Sequence, residues 1–209
     1  IPCSFCGLFG HKPTFGRIPA YPLSPFGTVA NIGPISRIVN DSAILMNVIA
    51  TPHIDDWYSL PAENIDYTEH NFANIKSLRI GVIKNFGMEK FFSNLNVEEE
   101  ISLKIDEAIQ VMKNEGLQII DNIDLDWPHN PADIFKIMWQ AGAANLSKKI
   151  SKNEFSKIDK NFLKFIDKGN SYSVFDFMGA EAKRAENAVY LSHVFDEVDI
   201  IIGPTIPVV

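Results

Sequence analysis

The sequence predicts an α/β protein in which a mixed, largely parallel sheet is flanked by helices. One observation is that three short runs rich in Ile, Leu and Val read SLRIGVIKN, LQIIDNIDL and DIIIGPTIPVV, as expected of buried strands. Another is that the helical pattern EEISLKIDEAIQVMKNEG separates the first two runs, as in strand–helix–strand units. A third is a hydrophobic content of 46% over 209 residues, which is enough for a sizeable core.

The N-terminal quarter is predicted to contain two strands, a long loop and a helix. The segment CGLFGHKPTFGRIPAYPLSPFG is rich in Gly and Pro, which favours a short strand followed by an ordered loop. The segment TVANIGPISR then reads as a strand that ends at Gly33-Pro34. Residues 37–50 are predicted to be helical because apolar side chains recur at helical spacing. These are Ile38, Ile44, Leu45, Val48 and Ile49.

Residues 78–125 are predicted to form the strand–helix–strand unit. Its first strand runs from about Leu78 to Lys84, and LQIIDNIDL forms its second. Asn96 and Glu99 have the spacing of a capping box before the helix, and Gly116 supplies a stop. The apolar face of this helix consists of Ile101, Ile105, Ala108, Ile109 and Met112.

The C-terminal third is predicted to be mainly helical until its last strand. Asn130 and Pro131 mark one helix start, and Ser173 with Asp176 caps a last long helix. The polar stretch SKNEFSKIDKNFLKFIDKGNS between them is expected to contain one short helix.

Cys3 and Cys6 have a C-x-x-C spacing that is compatible with a redox pair, with half of a zinc site, or with simple packing. A thioredoxin-like pair follows a strand, whereas only two residues precede Cys3. Zinc needs four ligands, and only His11 is near in sequence. The remaining histidines occur singly, at His53, His70, His129 and His193. We therefore expect buried packing thiols, no metal site and no cofactor.

The charge pattern disfavours nucleic-acid and membrane partners. The net charge is −7, and no basic run exceeds the pair Lys148-Lys149. Apolar runs are far shorter than the roughly 20 residues of a membrane span. Two cysteines make no disulfide framework, which favours a reducing cytoplasm.

The opening block of the chain, which begins IPCSFCGLFGHKPTFGRIP and continues to Ala50, resembles the segment after the catalytic serine in the amidase signature family. There the pattern reads approximately Gly-Gly-Ser-Ile-Arg-Ile-Pro-Ala-x-x-Cys-Gly-Leu-x-Gly-Leu-Lys-Pro-Thr-x-Gly-Arg-x-Pro. Residues 33–41 are similar to the family's Gly-Pro-Met-x-Arg-Thr-Val-x-Asp, and FDEVDIIIGPTIPVV is similar to its Asp-Val-Leu-Leu-x-Pro-Thr-x-Pro strand. The resemblance implies the α/β/α fold of that family.

The resemblance also implies where the catalytic groups lie. It aligns Ile1 and Pro2 with the Ile-Pro after Ser-Ile-Arg, so the nucleophilic serine is expected three positions before Ile1, outside this chain. The family's lysine, its cis-peptide serine and its oxyanion turn are expected further upstream. We therefore expect residues 1–209 to be a single partial amidase domain, truncated at both ends and containing no catalytic residue. Nothing in the sequence places Ser4 and Lys12 together as a substitute pair.

The implied reaction is hydrolysis of a carboxylic amide C–N bond through a serine acyl-enzyme, with a small-molecule amide as substrate. Candidate substrate-pocket residues are Tyr21 and Phe26, on the loop Pro19 to Thr28, and Trp139, on a helix that borders the acyl pocket in the family. For these aromatics an ordinary packing role stays open.

Two alternatives to a stand-alone amidase remain from the sequence. The chain could belong to the amidase subunit of a tRNA-dependent amidotransferase, or to a non-catalytic scaffold of similar fold. In a whole member of the family that the chain resembles, strands around His11 to Thr14, Val29 to Ile32 and Asp199 to Ile202 are expected in one central sheet. Open edges of that sheet predict self-association, most simply as a twofold dimer.

Overall fold

The structure is a computed structural model that describes residues 1–69, 72–93, 95–121 and 123–208. His70 lies outside the described residues. The chain divides into two compact units. The first contains Ile1–Leu8, Glu69–Asn130 and Glu186–Val209, and the second contains Phe9–Thr68 and Pro131–Ala185. The single-domain organisation expected from the sequence stays a prediction.

Helices and strands alternate through much of the described chain. The helices are α1 Pro2–Cys6, α2 Val39–Ile49, α3 Glu99–Asn114, α4 Pro131–Ser147, α5 Lys152–Phe155, α6 Lys160–Asn170 and α7 Val174–Glu197. The strands are β1 Phe9–Gly10, β2 Ile35–Ser36, β3 Arg79–Val82, β4 Gln118–Ile120 and β5 Ile200–Ile202. Two 3-10 segments occupy Gly27–Val29 and Phe72–Ser77.

The first unit contains a three-stranded parallel sheet in the order β4-β3-β5. Ile80 of the central strand is in register with Ile119 on one side and with Ile200 on the other. Ile80 and Val82 are buried, as is usual for a strand with neighbours on both sides. Helix α3 connects β3 to β4, so the predicted α/β fold with a parallel sheet is confirmed.

The predicted face of α3 is largely right, but its predicted cap is wrong. Ile109 is buried, and Gly116, at φ 82°, ends the segment in a left-handed conformation. The helix begins at Glu99 with Glu98 in the capping position, and no side chain caps it. The acidic first turn and Lys113 in the last turn instead complement the helix dipole.

An ion pair joins the starts of β3 and β5. Arg79 donates from Nη2 to Asp199 Oδ1 at 2.9 Å and from Nε to Asp199 Oδ2 at 3.2 Å. The backbone N–H of Arg79 also donates to Asp199 Oδ2, at 2.8 Å. These bonds lower the pKa of Asp199 and raise the pKa of Arg79. The pair therefore helps to define the register between strands that are 120 residues apart in sequence.

The second unit does not contain the strands predicted near its start. β1 pairs antiparallel with β2, and neither residues 11–14 nor residues 29–32 form a strand. Prolines without an N–H donor interrupt this region, and residues 27–29 form a 3-10 turn. In this chain these two segments therefore do not share a sheet with residues 199–202, whose strand β5 pairs with β3.

The helices of the second unit confirm some predicted boundaries and correct others. α4 begins at Pro131, and Ser173 and Asp176 form the expected capping box before α7. The polar stretch contains two helices rather than one, because Asp159 caps α6 after the turn that follows α5. The core packs Ile134, Met138 and Ala180 together.

Two apolar segments are more exposed than the sequence suggested. Helix α2 buries Ser42, Ala43 and Met46, whereas most of its predicted apolar face is exposed. In α1, Cys3 is half-buried, Cys6 is exposed and both are free thiols. The expectation of two buried packing thiols is therefore wrong, since a one-turn helix buries none of its residues.

Candidate functional site

The predicted pocket residues Phe26 and Trp139 are in contact. Their rings stack with centroids 4.3 Å apart and an interplanar angle of 21°. Gly142 lies one turn further along α4, and a Cβ there would be only 2.5 Å from Phe26 Cδ1 and 2.8 Å from Phe26 Cα. The absence of a side chain at Gly142 therefore allows the loop to reach α4.

A third ring extends this aromatic cluster. Phe135, four residues before Trp139 on α4, stacks on it at 5.1 Å with an interplanar angle of 23°. Phe135 is 48% exposed, whereas Phe26 and Trp139 are half-buried. Sequence reasoning missed Phe135, although its helical spacing from Trp139 predicts that the two rings are neighbours.

The end of the loop is anchored to α7. Arg184 Nη1 donates to Thr28 Oγ1 at 2.6 Å, and Nη2 donates to the Thr28 carbonyl at 3.3 Å. Glu181, one turn earlier, lies 3.8 Å from the same guanidinium. The 3-10 turn after Phe26 is therefore held at a defined place on the helix.

Tyr21 is located differently from the other two predicted residues. It is 69% exposed, and its bond to Pro22 is cis. The preceding residue, Ala20, donates its backbone N–H to Asp56 Oδ2 at 2.8 Å. The structure thus brings Phe26 and Trp139 together but leaves Tyr21 outside their stack.

A small pocket of about 20 Å³ lies under this loop, with room for one water molecule. Its walls combine backbone and side chains of Phe15, Gly16, Ile18, Ala20, Leu23, Ser24, Gly27, Ala30, Asn31, Ile32 and Asp56. Most of these groups are apolar, and Asp56 is the charged member. Sequence reasoning missed Asp56, because no pattern distinguishes it from the adjacent Asp55.

Gln140, next to Trp139 on α4, has a hydrogen-bond partner in the segment between α6 and α7. The hydroxyl of Tyr172 donates to Gln140 Oε1 at 2.7 Å. Burial, followed by the negative charges of Asp176 and Asp133, raises the pKa of Tyr172. Its phenol is therefore protonated and donating at neutral pH.

These groups can bind an apolar or planar group, but they offer no nucleophile and base in contact. Lys12 Nζ donates to the Pro13 carbonyl at 2.7 Å, and Ser4 is exposed on α1. Within residues 1–69, 72–93, 95–121 and 123–208, no three His, Cys, Asp or Glu side chains form a group that could hold a metal ion.

In the parts of the chain that the structure describes, none of the helices combines the length and hydropathy needed to cross a membrane.

Comparison with known proteins places these features in a family. The amidase family model matches residues 1–208. A glutamyl-tRNA(Gln) amidotransferase subunit of Caldanaerobacter subterraneus subsp. tengcongensis is 30% identical over an alignment that covers all of this chain and 46% of the relative. The corresponding subunit of Thermodesulfovibrio yellowstonii is 41% identical over 48% of this chain and 20% of the relative.

A solved structure gives the same fold. The crystal structure of a bacterial aryl acylamidase of the amidase signature family matches 94% of this chain and 41% of its own, with a TM-score of 0.75 and 24% identity. The chain thus spans less than half the length of each of these three proteins. On the match of the family model to residues 1–208, this chain belongs to the amidase signature family.

Proposed function

We propose that this chain is part of a serine amidase that hydrolyses the C–N bond of a small carboxylic amide through an acyl-enzyme. The observation that carries the proposal is the amidase family match over residues 1–208. The agreement of the opening block of the chain with the segment after the family's catalytic serine supports it further. The proposed nucleophile, its cis-serine and its lysine lie upstream of Ile1.

In this proposal the chain contributes to substrate binding rather than to bond cleavage. A serine hydroxyl is a weak nucleophile and needs an adjacent base, which the upstream lysine and cis-serine provide. Backbone N–H groups of an upstream turn stabilise the tetrahedral oxyanion, at about 3 kcal/mol per donor. The cluster of Phe26, Trp139 and Phe135 and the loop with Tyr21 then form part of the wall that contacts the acyl group.

We further propose that the enzyme acts in the cytoplasm without a metal or cofactor and without nucleic acid as a ligand. The net charge of −7 supports the last point, because phosphate backbones are bound by basic surfaces.

The reading frame around the Ile1 codon tests the proposal directly. Codons for Gly-Gly-Ser-Ile-Arg immediately upstream are expected. A start codon at that position would contradict it. In the enzyme encoded by the complete frame, replacing this serine by Ala is expected to abolish hydrolysis of a chromogenic anilide. Retained hydrolysis would exclude the serine mechanism, and a complete enzyme without any amide hydrolysis would favour a non-catalytic scaffold.

A second candidate function is that of one component of an amidotransferase. The relatives at 30% and 41% identity are named as glutamyl-tRNA(Gln) amidotransferase subunits, which favours it. A stand-alone amidase hydrolyses small amides as a single protein, whereas a subunit depends on its partner proteins. Copurification of an endogenous tagged enzyme with partner subunits, together with glutamine consumption that needs glutamyl-tRNA(Gln), would decide for the amidotransferase.

A further inference from the structure

The most deeply buried carboxylate near the loop belongs to Asp56. The residue is only 7% exposed, although a carboxylate is costly to bury unless hydrogen bonds replace its water. Its neighbour Asp55 keeps 55% of its side chain exposed and lies 3.8 Å from His53 Nδ1. The two adjacent acids therefore occupy opposite environments, and only Asp56 faces the rest of the unit.

Each oxygen of Asp56 accepts a backbone hydrogen bond. Oδ1 accepts from Tyr58 N at 2.9 Å, which stabilises its own turn. Oδ2 accepts from Ala20 N at 2.8 Å and so reaches a segment 36 residues earlier in sequence. A turn alone needs only the first bond. The second bond connects the turn to the residue immediately before Tyr21.

The segment after Ala20 is held at its two ends. Asp56 holds the beginning, whereas the Phe26–Trp139 stack and the Arg184–Thr28 bonds hold the end. Between them, Leu23, which is 43% exposed, and Ser24 line the small pocket. The position of Tyr21 therefore depends strongly on the bond that Asp56 makes.

We propose that Asp56 is a positioning residue for substrate binding: its bond to Ala20 N holds the loop that carries Tyr21 in place against the acyl group. The proposal rests on the amidase function proposed above. It requires that Asp56 affects how tightly substrate is bound and not how fast the bound amide is cleaved. A role in folding alone would instead reduce the amount of active enzyme.

The first experiment tests the loop and does not depend on activity. Chymotrypsin digestion of the complete enzyme, followed by mass spectrometry, measures cleavage after Leu23 relative to sites in other segments. Asp56→Asn is expected to raise this rate about tenfold, as loss of a charged hydrogen bond implies, and sites outside the loop and outside the turn of residues 53–59 should not change. Asp55→Asn removes the same charge from the same turn and is expected to leave the rate unchanged. Equal cleavage in both variants would overturn the proposal.

The second experiment uses the complete enzyme and a series of amides that differ in acyl size. Asp56→Asn is expected to raise KM about tenfold with kcat unchanged, whereas Asp55→Asn should behave as wild type. A lower kcat at unchanged KM would show a merely structural role and would overturn the proposal. An unmodified enzyme without amide hydrolysis would instead refute the amidase function, and the proposal with it, whatever the digestion shows.

Discussion

Two glycines in the middle of helices have opposite surroundings. A Cβ at Gly142 would contact the backbone of Phe26, whereas one at Gly179 in α7 would meet nothing within 4 Å. Gly142→Ala is therefore expected to destabilise the protein by about 1–3 kcal/mol, as overpacking does. Gly179→Ala, the matched control, is expected to stabilise it by about 0.5–1 kcal/mol through helix propensity. Thermal unfolding followed by tryptophan fluorescence measures both, and an equal effect would contradict the close contact.

The two thiols of α1 should differ in reactivity. Cys6 is exposed and Cys3 is half-buried, and both are free. Because alkylation requires access of the reagent to the thiolate, iodoacetamide is expected to label Cys6 first. Peptide mass spectrometry at short times measures the order, with Cys6→Ser as the control. Faster labelling of Cys3 would contradict the exposure seen in α1.

At the scale of residues, the sequence predicted which kinds of side chain lie in a region better than it predicted how buried each side chain is. It proposed Phe26 and Trp139, together with Tyr21, for a substrate pocket; the first two rings stack, and the pocket stays a prediction. It could not separate Asp56 from Asp55, since burial depends on a segment more than thirty residues away. It also placed the thiols in the interior, because free cysteines usually lie there, whereas the short helix leaves Cys6 exposed.

At the scale of elements, the pair Arg79–Asp199 predicts a pH dependence. The pKa of Asp199 is lowered, chiefly by hydrogen bonds from Arg79. A carboxylate with a lowered folded-state pKa stabilises the fold above its unfolded value of about 3.9, and this stabilisation is lost as the pH falls through the folded-state pKa. Asp199→Asn is therefore expected to lower the urea midpoint at pH 7, and its difference from wild type is expected to shrink as the pH falls below about 3.9 through the lowered folded-state pKa of Asp199.

The matched control for this pair is Asp124→Asn, which removes one exposed carboxylate from the same unit. Its urea midpoint at pH 7 is expected to stay close to that of wild type. Urea unfolding curves across the pH range supply the measurement. A constant difference between wild type and Asp199→Asn at every pH would contradict the ion pair.

Elements with a local signal were predicted well. The sequence between β3 and β4 contains a helical periodicity of apolar residues and a helix stop at Gly116, so this strand–helix–strand unit could be predicted from local sequence alone. The region around residues 11–34 was not, because its conformation depends on close backbone approach. A Cβ at Gly33 would lie 1.9 Å from the His11 carbonyl oxygen, and Asn31 Nδ2 donates to the Pro13 carbonyl at 2.7 Å. No propensity predicts such contacts.

At the scale of the whole molecule, the 209-residue chain is expected to be inactive by itself. Ser4 and Lys12 do not form a nucleophile–base pair, since Lys12 donates to the Pro13 carbonyl instead. The proposed nucleophile lies upstream. A chromogenic anilide and an ester are the substrates for the test. Turnover that a serine-directed inhibitor blocks would contradict the assignment of the catalytic groups.

The chain is also expected to self-associate. A contiguous run of sequence exposes seven large apolar side chains by 39% to 69% each: Ile32, Ile35, Ile38, Val39, Ile44, Leu45 and Val48. Full burial of such a side chain is worth roughly 1.5–3 kcal/mol, and since these side chains are about half exposed, covering each adds roughly half of that, which favours a twofold dimer. Sedimentation velocity at micromolar concentration measures the state, with Ile44→Glu and Val48→Glu as dissociating variants. A wild-type monomer would contradict this prediction.

The strand order β4-β3-β5 has a consequence for synthesis on the ribosome. β3 and β4 lie within about forty residues of each other and can pair early. β3 can pair with β5 only later, since Ile200 is synthesised after α4, α5, α6 and α7. Until that moment one edge of the central strand is unpaired in a nascent chain, where long-range closure is slow. The interval between making Val82 and making Ile202 is therefore when this strand edge is open to pairing with other chains.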